Sequence, residues 1–137
     1  MKTATVVLTG GALLLASASL AQERGELKAI YEGRALYVAH CAGCHGLDAR
    51  GTAWGTDGHG GCPDLTRIAA RDGRFRIVHV GNHIGGRHDG DSSHRSMPIW
   101  LRQLKQEWPA GDAVAPLKVA WMAQYLGAIQ RSEPATR

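Results

Sequence analysis

Cys41-Ala42-Gly43-Cys44-His45 decides the reading of this chain. Two thiols lie three positions apart, and a histidine follows the second directly. This is the CxxCH pattern that attaches a c-type haem. Each thiol reaches one porphyrin vinyl group and forms a thioether. The next residue, His45, then lies under the iron and supplies an axial imidazole. Two other chemistries use similar residues. A thioredoxin-like CxxC sits between a strand and a helix of an α/β domain, and no such pattern surrounds Cys41 and Cys44. Zinc accepts a Cys₃His set, which Cys41, Cys44, His45 and Cys62 would supply. Adjacent Cys44 and His45 would strain to reach one tetrahedral ion, and zinc gives no reason for the export signal upstream.

Residues 1–21 carry that signal. Lys2 is followed by an apolar run over residues 5–15 and a small-residue stretch ending Ser19-Leu20-Ala21. These are the n-region, h-region and cleavage site of a secretory signal peptide. The run is short and rich in Gly and Ala, which disfavours a membrane span, although an uncleaved N-terminal anchor is the competing reading. Cleavage is expected after Ala21, with Ala18 as the alternative. Thioether attachment of haem in bacteria takes place outside the cytoplasmic membrane, so compartment and motif support each other. The expected location is the periplasm, with no stable membrane insertion once the signal is gone.

Residues 22–137 are enough for one domain. A chain of that length has a limited core, and a buried haem would add much of the missing apolar surface. The whole chain is 44% apolar, too much for a disordered chain. Its formal charge is +4, falling to +3 without Lys2. A modest positive excess allows steering toward acidic surfaces on redox protein partners, and serves equally as a solubility charge with no partner implied. It is too small and too scattered for nucleic acid.

The mature chain reads as all-α. Residues 22–25 look frayed. Residues 26–38 are helical, with Leu27, Ile30, Tyr31 and Tyr37 near one face. Gly33 breaks helix propensity, and the physical reason is close approach of another backbone. Residues 46–61 form a Gly-rich loop. A short helix over residues 64–71 turns Leu65, Ile68 and Ala69 inward. Residues 75–84 form another, with Ile77, Val80 and Ile84 on one face, ended by Gly85-Gly86. Residues 87–96 are a polar, His-containing loop. Met97-Pro98-Ile99-Trp100 leads into one or two turns ending at Glu107. The last helix has Asp112 as N-cap and Pro116 in its first turn. Its apolar stripe is Val114, Leu117, Trp121, Met122, Tyr125, Leu126 and Ile129, with Lys118 and Gln124 on the other side.

In this order the elements resemble the class I cytochromes c, small monohaem proteins with His/Met-ligated iron. The likeness covers essentially all of the mature chain. Its specific pieces are GRALYVAHCAGCHG (residues 33–46), CPDLT (residues 62–66) and SMPIW (residues 96–100). It looks closest to the bacterial periplasmic group with a Met-Pro-x-Trp segment. The resemblance implies thioethers at Cys41 and Cys44 and a proximal ligand at His45. It implies that the Pro63 carbonyl holds the other ring nitrogen of His45 and that Leu65 packs on the haem. Gly33 and Tyr37 would meet the last helix near Tyr125 and Leu126, forming the crossed helix pair of that fold.

The distal ligand follows from counting. Of three methionines, Met1 leaves with the signal and Met122 sits on the last helix's apolar stripe. Met97 lies in a loop stiffened by Pro98, with enough chain after His45 to reach the opposite haem face. A thioether opposite histidine raises the reduction potential and suits electron transfer. His94 is the main competitor, ahead of His79, His83 and His88, three residues that would also make an accessory metal site. His40 and His59 have no specific case. Cys62 is an odd thiol in an exported chain, expected buried beside the haem, with an intermolecular disulfide or a redox-sensing thiol as the alternatives. Trp100 is expected to close the haem edge. Arg67, Arg71, Arg87 and Arg95 are candidate propionate partners.

These residues point to a single-electron carrier between redox proteins, with covalent haem c, iron held by His45 and Met97, and no catalytic residues. One alternative is an electron-transfer subunit of a periplasmic dehydrogenase or oxidase. Another, from a different class, is a haem sensor or peroxidase-like protein with an open distal face.

Overall fold

The computed structural model describes residues 4–51, 61–86, 97, 99–108 and 110–131, and leaves undescribed the side chains of residues 4–17, 111 and 112. Among the described residues six α-helices follow in order: α1 (Ala4–His40), α2 (Ala42–His45), α3 (Ile68–Asp72), α4 (Ile77–Ile84), α5 (Trp100–Glu107) and α6 (Gly111–Ala128). A 3₁₀ turn, Leu65–Arg67, leads into α3. Among the described residues there is no strand, so the all-α expectation holds.

The fold is organised by the crossing of α1 and α6. Ala29, Gly33, Leu36 and Tyr37 form the face of α1 that is buried. A Cβ on Gly33 would overlap the Trp121 carbonyl oxygen and stand 2.9 Å from the Tyr125 Cβ. Glycine is therefore required for the two backbones to touch. One turn on, the Tyr37 and Tyr125 rings pack with centroids 5.3 Å apart, a tilted geometry aromatic pairs favour. Tyr37, Leu104 and Met122 are the largest fully buried side chains. Each stabilises the fold by roughly 1.5–3 kcal/mol. α4 and α5 complete the core by packing on α6 with Val80, Ile84, Trp100 and Leu104.

Several local expectations are corrected. Residues 22–25 are not frayed; they continue α1 without a break. Nothing there stops a helix, and the Gln22 amide donates to Glu26 one turn later at 3.3 Å. Leu27 and Tyr31 do not share the inward face of Tyr37: they are 67% and 73% exposed. Periodicity placed them with their apolar neighbours, but the α6 contact centres on Gly33, which turns both away. Likewise Ile77 of α4 and Leu117 of α6 face outward, at 42% and 47% exposure. The helix α6 starts at Gly111 after an N-cap at Ala110, so Asp112 is not the cap. Pro116 consequently lies inside the helix, beyond its first turn. Lys118 sits 3.8 Å above the Trp108 ring, and the Gln124 Oε1 is buried rather than solvated.

The far end of α6 is tied down by a side chain with no apolar signal. Gln130 accepts from the Ala69 N–H at 2.8 Å and donates to the carbonyls of Leu65 at 2.9 Å and Leu126 at 2.7 Å. The Arg131 N–H donates to the Thr66 carbonyl at 2.9 Å. These bonds fasten the segment that follows Pro63 to the C-terminal helix. Among the described residues, no helix is long and apolar enough to cross a membrane.

Candidate functional site

The helix α1 does not carry the motif to its end as one rod. It stops at His40; Cys41 is a turn residue, and α2 is a separate four-residue helix. The His45 N–H donates to the Cys41 carbonyl at 2.9 Å, and the Gly46 N–H to the Ala42 carbonyl at 2.9 Å. That single turn sets Cys41 and Cys44 at i and i+3, hence on one side. Cys44 is exposed and Cys41 half-buried, and neither is in a disulfide. Burial, and then the neighbouring Cys44, push the Cys41 thiol up to about 11.

A loop closes beneath the turn. The Tyr37 hydroxyl donates to the Gly46 carbonyl at 2.6 Å. Burial, followed by the nearby Cys41, Tyr125 and Asp48, raises its pKa well above the ordinary tyrosine range, so it remains a donor. Gly46 and Gly51 both have positive φ, 78° and 83°. The Gly51 N–H donates to the His45 carbonyl at 2.9 Å. A Cβ on Gly51 would overlap the Cys62 carbonyl oxygen and stand 3.0 Å from the Pro63 carbonyl carbon. The bare backbone at residue 51 thus lets residues 62–64 lie against the motif. The Leu65 N–H then donates to the Ala49 carbonyl at 2.8 Å, locking the register.

The result is one decisive hydrogen bond: His45 Nδ1 to the Pro63 carbonyl oxygen, 3.1 Å. A carbonyl only accepts, so Nδ1 carries the proton and the neutral ring presents Nε2 as its basic nitrogen. This is the tautomer and the orienting contact a metal-binding imidazole needs. Two thiols on one side of a helical turn, with an oriented imidazole at its end, fit a covalently held iron porphyrin.

Cys41, Leu65 and Met97 are all partly buried and pack on the same hydrophobic cluster. Trp100 is buried at the start of α5, its ring 5.0 Å from that of His40. His40, for which the sequence made no case, also approaches Glu107 at 3.8 Å. Cys62 is half-buried rather than buried. Arg67 and Arg71 are exposed. The rings of His79 and His83 lie 5.9 Å apart, and among the described residues no three metal-binding side chains converge. His59, His88, His94, Arg87, Arg95 and Pro98 lie outside the described residues. Sequence reasoning missed Gly51, Tyr37 as a hydrogen-bond donor, and Gln130. Only the glycine density of the loop signalled the first.

The family model for cytochrome c matches residues 30–133. The chain belongs to the cytochrome c family. Its cofactor is therefore haem c, an iron porphyrin covalently attached to the polypeptide. This cytochrome c is a haem-binding electron-transfer protein, of a family that generally carries electrons to and from redox partners rather than catalysing reactions. No curated protein and no solved structure matches the chain.

Proposed function

We propose that this cytochrome c is a periplasmic, monohaem electron carrier that shuttles single electrons between redox proteins and is not an enzyme. Residues 1–21 serve as its export signal, and residues 22–137 are the mature domain. Cys41 and Cys44 hold the porphyrin through thioethers, and His45 Nε2 ligates the iron. Met97 supplies the opposite ligand. Leu65 lines the proximal side, and Trp100 closes an edge.

The observation that carries the reading is the 3.1 Å contact between His45 Nδ1 and the Pro63 carbonyl. It fixes the imidazole before any electron moves, so little reorganisation accompanies the change of charge. The bound iron supplies the chemistry, taking up and releasing one electron. The chain's own part is to hold both axial side chains in place, exclude water and set the potential. A Met thioether opposite His favours the ferrous state, while the Pro63 contact strengthens His45 as a donor and opposes it.

The test is the exported protein itself. Its mass should equal residues 22–137 plus one haem, and its pyridine spectrum should count two thioethers. Met97→Ala should lower the reduction potential and allow carbon monoxide to bind the ferrous protein at neutral pH. A Met97→Ala protein with the parent's spectrum and potential would remove Met97 as ligand. A colourless secreted product would remove the whole reading.

A further inference from the structure

The helix α1 carries an apolar stripe that the rest of the chain leaves uncovered. Leu27, Tyr31 and Val38 are all exposed. On a helix of 3.6 residues per turn they lie within about 40° of one another. The face that meets α6, formed by Ala29, Gly33, Leu36 and Tyr37, lies roughly opposite. The stripe therefore points away from the body of the protein. Residues 22–28 are helical yet exposed throughout. A short helical end without packing is marginal in water, so this part of α1 gains most from a neighbour.

The charges beside the stripe select that neighbour. Residues 22–38 hold Arg24, Lys28 and Arg34 against Glu23, Glu26 and Glu32. That balance does not suit an anionic lipid surface, which calls for a basic polar face. Helical spacing puts Arg24, Lys28 and Glu32 along one side of the stripe, and Glu23 and Arg34 along the other. Neither Glu23 nor Arg34 has an opposite charge three or four residues away on α1, the spacing at which helical neighbours pair.

A twofold axis beside Ala29 supplies what is missing. It sets Leu27 of each copy against Tyr31 of the other, because the two residues are equidistant from Ala29. Arg34 of one copy and Glu23 of the other fall on the same side of the seam, about 1.5 Å apart along the helix direction. On the opposite side, Glu32 of each copy falls between Arg24 and Lys28 of the other. The two copies of Lys28 face each other near the axis, each with a Glu32 beside it. A surface that matches itself under a twofold is what an isologous dimer requires.

We propose that α1 is the contact of a symmetric dimer of this chain, in which a second copy packs antiparallel on Leu27 and Tyr31 and the Arg34–Glu23 pairs fix the register. This pairing depends on release of the export signal, and not on the iron's ligands or the electron-carrier role. Val38 falls opposite position 20 of the other copy, which leaves with the signal when cleavage follows Ala21, so it lies outside the seam.

The experiment is sedimentation equilibrium of the haem-loaded mature protein, at concentrations up to about 1 mM. The wild type should show a reversible monomer–dimer equilibrium. Leu27→Ser/Tyr31→Ser should weaken it about tenfold or more, because each copy loses two covered apolar side chains. Thermal melts of that variant should match the wild-type monomer, since both residues face outward in it. Glu23→Arg and Arg34→Glu should each weaken association about threefold or more by placing like charges together. The exchange Glu23→Arg/Arg34→Glu should restore it to within about twofold of wild type. Leu117→Ser, on an outward face of α6, should leave association unchanged. A wild type that stays monomeric throughout would overturn the proposal. So would single reversals that the exchange fails to rescue, or a loss at Leu117→Ser equal to that of the stripe variant. Binding to phosphatidylglycerol vesicles that depends on Leu27 and Tyr31 would overturn it in favour of a lipid surface.

Discussion

Gly51→Ala probes the link from a backbone conformation to the redox centre. Two costs act on the fold. An L-residue in the left-handed region costs roughly 1–2 kcal/mol, and Gly51 has φ of 83°. The new methyl would also overlap the Cys62 carbonyl oxygen and crowd the Pro63 carbonyl carbon at 3.0 Å. Relief requires residues 62–64 to withdraw by on the order of 1 Å to restore ordinary contact. The 3.1 Å bond from His45 Nδ1 to Pro63 would then lie beyond hydrogen-bonding range. Such a bond contributes about 0.5–1.5 kcal/mol. A one-electron couple shifts 59 mV for each tenfold, or about 1.4 kcal/mol, so the limit of the effect is roughly 20–60 mV. The sign is upward: without the carbonyl, the imidazole donates less strongly to iron and the ferric state loses support. Spectroelectrochemical titration of the haem-loaded variant measures the potential, and its thermal melt should fall by about 10 °C for a loss near 2 kcal/mol. A folded, haem-loaded Gly51→Ala whose potential is unchanged or lower would refute the reasoning.

Gly33→Ala sets helix propensity, which favours Ala by about 1 kcal/mol, against overlap with the Trp121 backbone. Backbone cannot step aside cheaply and overpacking costs about 1–3 kcal/mol or more, so the melt should fall; Gly25→Ala, with nothing near its added methyl, should be neutral or stabilising. Gln130→Ala strands the Ala69 N–H and the Leu65 and Leu126 carbonyls, and should lower stability to urea by about 1–3 kcal/mol. Burial acts against the Asp64 carboxylate, but two hydrogen bonds from Thr66 and the charges of Arg131 and Arg67 outweigh it and hold its pKa low. A depressed native pKa stabilises the fold above the unfolded carboxylate's pKa and is lost as pH falls through the native one. Acid titration of Asp64→Asn should therefore show a shallower loss of stability below about pH 4 than the parent; identical acid limbs would discard that role.

Much of the site was legible from the sequence because covalent chemistry is local. Cys41, Cys44 and His45 are adjacent, and no packing is needed to recognise what three such side chains in that spacing hold. The all-α class was legible in the three- and four-residue apolar periodicity; an interior helix glycine at residue 33 implied a neighbour at backbone distance, and only the family resemblance named the last helix as that neighbour. What the sequence could not decide was long-range and polar. Leu27 and Tyr31 carry the same apolar character as Tyr37, and only the position of α6 turns Tyr37 inward and leaves the other two in water. Pro63 meets His45 because Gly51, a residue with no side chain to signal anything, permits residues 62–64 to close against the motif. Gln130 holds α6 to the segment after Pro63, and Phe75 meets Gly127 near the end of α6, a contact between residues 52 positions apart that no local pattern announces. Residue type and spacing determine which chemistry a chain can hold. Which side chains share a face, and which backbone carbonyl orients a ring, depend on contacts between segments far apart in sequence, and those exist only in the folded state.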